Sequence, residues 1–104
     1  MEEDLKEILN AFLEQLKGEI EDAGQDIKVS WDELRMYTAE RANHLSAIVG
    51  EPGFELAVRA ERDAIALKAG IAAVDTANEA GQRWLGMIQG TLIVVAKVLA
   101  LGLV

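Results

Sequence analysis

Residues 84–104 read WLGMIQGTLIVVAKVLALGLV, and the reading of this stretch decides how the rest of the chain must fold. Only Gln89, Thr91 and Lys97 interrupt it with polar side chains. About 20 apolar residues in a helix cross the hydrocarbon core of a bilayer. A helix this apolar on every side cannot lie on the surface of a soluble monomer. The segment therefore needs burial, in lipid or among other helices, and Trp84, Leu85, Ile88, Leu92, Ile93, Val95 and Leu99 are expected to carry it. We divide the chain accordingly into an acidic amphipathic helical region, 1–83, and an apolar C-terminal helix, 84–104.

Immediately upstream, small residues recur at helical spacing. Ala69, Ala73, Ala77 and Gly81 fall every fourth residue, with Ala66 and Gly70 on the adjoining row, and Gly86 and Gly90 form a GxxxG pair inside the apolar run. Small side chains at this period make a groove in which two helix backbones approach closely, and GxxxG is a pairing face in membranes. We take Ala69, Ala73, Ala77, Gly81, Gly86 and Gly90 as candidate helix-association positions. The plainer reading is an alanine-rich helix with incidental glycines.

No proline follows Pro52, so the pattern from Phe54 to the terminus predicts one long helix over about 54–103. Such a helix would extend about 75 Å at 1.5 Å per residue and would project from a compact body. A break near 75–81 is the alternative, because Thr76-x-x-Glu79 has the form of a capping box and Gly81 lies just beyond.

Two shorter amphipathic helices precede it. Leu5, Ile8, Leu9, Phe12, Leu13, Leu16 and Ile20 recur at spacings of three and four, predicting a helix over about 2–23. Glu2, Glu3 and Asp4 suit the positive end of its dipole, and Gly24 suits the position just past its end. Ser30-Trp31-Asp32-Glu33 then reads as a capping box, with Ser30 and Glu33 as the cap residues of a second helix over about 31–49. Trp31, Leu34, Ala42, Leu45 and Ile48 should face inward, and Gly50-Glu51-Pro52-Gly53 breaks the helix. The fold class is all-α: a helical hairpin or bundle that oligomerises.

Composition narrows function further. The formal charge is −8, and residues 1–26 hold nine acids against Lys6 and Lys17. An acidic end of this kind disfavours nucleic-acid phosphates and anionic lipid surfaces. There are no cysteines, which removes disulfides and thiolate metal sites. His44 is the sole histidine, and Glu40-x-x-x-His44 has neither the spacing nor the repetition of a di-iron carboxylate site. Ser30 is explained as a cap, Ser46 sits two residues from His44 on a different helix face, and no glycine-rich phosphate loop is present. Arg59 and Asp63 form an i,i+4 pair within solvated helix charge. We expect no enzyme, no catalytic, metal or cofactor site, and no small-molecule substrate.

Lys97 resists the simplest reading of the apolar run. It could snorkel to the far headgroups, line a wet lumen in an oligomer, or face an acidic partner or aqueous channel from within a protein assembly.

Three functions fit. The first is a structural subunit that self-associates through the long helix, as small helical components of phage particles, virions, rings and tubes do. The second is a tail-anchored membrane protein. The N-terminus lacks the basic and apolar regions of a signal peptide, and Arg83 before the run places the acidic body in the cytoplasm. In layout alone this is similar to the small phage haemolysin and holin-accessory proteins. The third is a soluble helical adaptor that hides its apolar helix against a partner protein. Trp84 at one end with no aromatic residue at the other favours burial in protein.

Overall fold

In the computed structural model, residues 2–71 and 79–102 are described, with side chains from residue 5 onward. Four helices occupy them: α1 (Glu2–Asp22), α2 (Trp31–Ser46), α3 (Phe54–Ala69) and α4 (Glu79–Ala100). The protein is an all-helical bundle with no strand among the described residues. Its extents are 39 × 30 × 18 Å.

α1 forms where its apolar stripe predicts, and Leu9, Phe12, Leu13, Leu16 and Ile20 are buried. It closes on a Schellman motif. Gly24 turns left-handed at φ 73°, its N–H donates to the Glu21 carbonyl at 2.9 Å, and the Gln25 N–H donates to that of Ile20 at 3.0 Å.

Ser30 caps α2 as its spacing predicts, its hydroxyl accepting from the Glu33 backbone N–H at 3.1 Å. Leu34, Ala42 and Leu45 are buried, and Trp31 and Ile48 pack against the core half-buried. Thr38 shares that inner face because its hydroxyl donates to the Leu34 carbonyl at 2.7 Å, which satisfies it inside the helix. α2 ends three residues before the expected Val49. Residues 47–50 close into short turns, with Ile48 N–H donating to Leu45 and Glu51 N–H to Ile48, both at 3.1 Å.

The single long helix over 54–103 is not what forms. α3 stops at Ala69, and Gly70 turns left-handed at φ 84° with its N–H on the last carbonyls of the helix. The break falls upstream of the 75–81 window. The residues of the Thr76-x-x-Glu79 box before Glu79 lie outside the described residues, as do Ala73 and Ala77. Two interactions explain the stop. The Lys28 N–H donates to the Ala69 carbonyl at 2.9 Å. The Lys28 stem also lies over Gly70, so that a Cβ there would meet Cγ at 2.8 Å.

α4 packs against all three other helices. Gly81, Trp84, Leu85, Ile88, Leu92, Val95 and Ala96 recur every three or four residues and turn into the core. The apolar run thus supplies the central seam of the bundle.

Candidate functional site

The residues expected to carry apolar burial divide by face. Trp84, Leu85, Ile88, Leu92 and Val95 are buried, whereas Ile93 and Leu99 are half-buried at the margin. Trp84 is only 1% exposed, so it is a core residue rather than an interfacial anchor. Its indole Nε1 is buried without a hydrogen-bond partner among the described residues.

The small residues divide the same way. Ala69 and Gly81 turn into the chain's own core, while Gly86 and Gly90 are exposed on the outward face of α4. Val94 and Leu101 share that face, 48% and 72% exposed, and Arg83 and Lys97 stand on it as the two bases of α4. A Cβ added at Gly86 or Gly90 would meet nothing within 4 Å.

Beside this face runs an open groove of about 310 Å3 between α1 and α4. Ile8, Phe12 and Gln15 line it from α1; Gly86, Met87, Gly90, Thr91 and Val94 line it from α4. None of these carries a formal charge, in a chain of which 27% is charged. The two helices run antiparallel, since Arg83 Nε donates to Glu19 Oε1 at 3.1 Å at one end while Ile8 and Val94 lie at the other. The groove was not legible from single-helix patterns, because it needs the pairing of α1 with α4.

Polar contacts elsewhere tie the bundle together. Arg62 donates to Gln89 at 2.9 Å, joining α3 to α4, and also holds Asp63 at 2.9 Å in place of the expected Arg59. Arg41 lies 4.7 Å above the Tyr37 ring and pairs with Glu61 at 3.4 Å; Lys68 lies 5.1 Å from the same ring. Burial acts to lower the Arg41 pKa, but the Glu61 carboxylate and Tyr37 outweigh it and hold the guanidinium above its ordinary value. Arg41 is therefore a permanent charge clamping α2 to α3.

Among the described residues no group of three or more His, Cys, Asp or Glu is placed to hold a metal. His44 is exposed, and the Ser46 hydroxyl is committed to the Asn43 carbonyl at 2.6 Å. A second, polar groove between α1 and α2 is lined by Leu13, Glu14, Lys17, Trp31, Asp32 and Arg35, together with Asn10. Arg35 is engaged within it, bonding Asp32 at 3.3 Å and Asn10 at 3.4 Å. No family model, curated protein or solved structure matches this chain.

Proposed function

We propose that the protein is a non-enzymatic structural component that self-associates through the outward face of α4, as one unit of a larger helical assembly such as a phage or virion particle. One observation carries this reading. α4 is long and apolar enough to cross a membrane, yet only 33% of its most apolar window is buried within the chain. What it leaves outside between Arg83 and Lys97 is a short strip of Gly86, Gly90 and Val94. Each helix-interior glycine costs roughly 1 kcal/mol relative to alanine. Gly86 and Gly90 have no neighbour that would require one, which is consistent with close approach by another helix.

Light scattering of the untagged protein over a range of concentrations tests the proposal. A discrete oligomer is the expected result, and a monomer at every concentration would overturn it.

A second reading has an observation of its own: Glu79–Ala100 is long and apolar enough to cross a membrane. A tail-anchored protein would have to expose the seam that α1–α3 cover, so the burial of Ile88 and Leu92 counts against it. Retention in carbonate-washed membranes, released only by detergent, would favour it. A soluble adaptor that hides the same face against a different protein is the remaining alternative.

A further inference from the structure

α3 leaves its helix at one residue, Gly70, which stands at φ 84° and is the only positive-φ position between α3 and α4 among the described residues. Glycine adopts left-handed and right-handed backbone about equally well. What holds the turn therefore comes from outside it: the Lys28 N–H on the Ala69 carbonyl at 2.9 Å, and the Lys28 stem laid over Gly70. From Ile71 to Ala80 the sequence contains neither proline nor glycine, so no residue there forbids a helix that runs on from α3. The seam of α4 is what such a helix would lose. Trp84, Ile88, Leu92 and Val95 are each at most 1% exposed and would need an equally well-fitted cover. The surface with that fit is the one they already occupy, formed by α1, α2 and α3.

We infer that two copies of this chain exchange α4: Gly70 passes from left-handed to helical backbone, and α4 of each copy seats on α1, α2 and α3 of the other. This goes beyond the association proposed above. It uses the inner face of α4 and leaves Gly86, Gly90 and Val94 outward and free. The partner is fixed by fit, because every contact of the exchanged pair is one already made within the chain. Arg83 meets Glu19 at 3.1 Å and Arg62 meets Gln89 at 2.9 Å in the single chain, and both are remade between chains. Exchange of an identical element is a low-cost route to a dimer, since only the hinge differs between the two forms. The hinge residues thus set the balance. The closed form keeps the Lys28 bond to Ala69 and wins in dilute solution, where contact within one chain has the higher effective concentration. The exchanged form gives up the left-handed turn, and rising protein concentration favours it.

The chain has no native cysteine, so Glu19→Cys and Arg83→Cys together place its only two thiols on either side of the α1–α4 contact. The full-length double variant is separated by size into monomer and dimer, and each fraction is bridged with a short bis-maleimide and run on a denaturing gel. The monomer should give single chains linked internally, and the dimer should give two chains joined to each other. Adding Gly70→Ala should raise the dimer association constant about tenfold or more, because a left-handed alanine is relieved at both hinges. That substitution also weakens the monomer, so its effect is read from the dependence on protein concentration, and the parent double variant carries the gel test if the Gly70→Ala chain does not fold. A dimer whose chains separate, each linked internally, would overturn the exchange and leave association through the outward face standing. An unchanged association constant in a folded Gly70→Ala chain would overturn the hinge. A native chain that stays monomeric at every concentration, with Gly70→Ala monomeric as well, would overturn both the exchange and the association proposed above.

Discussion

The backbone N–H of Lys28 donates to the carbonyl of Ala69 at 2.9 Å, joining the loop after α1 to the end of α3. The last carbonyls of a helix have no partner inside it, and here a residue 41 positions away satisfies one of them. The same lysine lays its methylene stem over Gly70, the residue at which the chain turns out of α3. This one relationship converts a potential rod into a bundle. It ends α3 at Ala69 and allows the apolar run to return as α4 and bury its seam against all three preceding helices.

Gly70→Ala should therefore destabilise the fold by about 1–2 kcal/mol, since a side chain at φ 84° is strained and its Cβ would collide with Lys28. Urea denaturation followed by circular dichroism measures it. Adding Lys28→Ala should relieve the collision and leave the backbone strain, so recovery should be partial. An unchanged midpoint in Gly70→Ala would mean that the turn tolerates a side chain and that the account of the break is wrong.

That break also marks where the sequence stopped being readable. The apolar stripe of α1, the Ser30 cap and the inner face of α2 are local patterns of period 3.6, and each appears as its spacing predicts. Gly70 was indistinguishable from a member of the small-residue row, because one glycine costs a helix only about 1 kcal/mol. What makes it a terminus is a hydrogen bond from Lys28, and no window around Gly70 contains that. The site shows the same division. The seam residues of α4 were legible as apolar, but which face they occupy depends on three partner helices. Trp84 could be taken for a membrane anchor only while its burial was unknown. The groove beside Gly86 and Gly90 belongs to two helices that are distant in the chain, so neither helix alone announces it.

Ile88→Ala separates the seam of α4 from its outward face. Ile88 is fully buried, and truncating such a side chain costs about 2–5 kcal/mol through lost transfer energy and the cavity left behind. Val94→Ser, on the exposed side, should change monomer stability by less than about 0.5 kcal/mol. Equal tolerance of both substitutions in denaturation would mean that α4 does not sit in the bundle as described.

Gly86→Ala and Gly90→Ala offer an unusual combination of signs. Both positions have room for a methyl group and ordinary helical backbone, so each substitution should stabilise the monomer by roughly 0.5–1 kcal/mol. Gly86→Leu or Gly90→Leu should instead weaken association, because the larger side chain holds the partner helix away. Thermal melts report the first effect and light scattering the second. Leucine variants with unchanged oligomer size would remove these glycines from the interface.

Lys97→Leu discriminates between lipid and protein as the environment of α4. A lysine at the centre of a bilayer costs about 2.5–3.5 kcal/mol on insertion scales, so its removal should preserve or improve membrane retention if the helix spans. In the bundle Lys97 is exposed and belongs to the outward strip with Gly90 and Leu101. There its removal should leave the protein soluble after carbonate washing and alter association, since Lys97 stands on the face proposed for self-association. Fractionation and light scattering of one preparation read both quantities. Stronger retention in washed membranes would move the apolar helix into lipid. A soluble protein with reduced oligomer would place Lys97 at the interface between chains. Unchanged association in the soluble fraction would remove Lys97 from the face through which the chains associate.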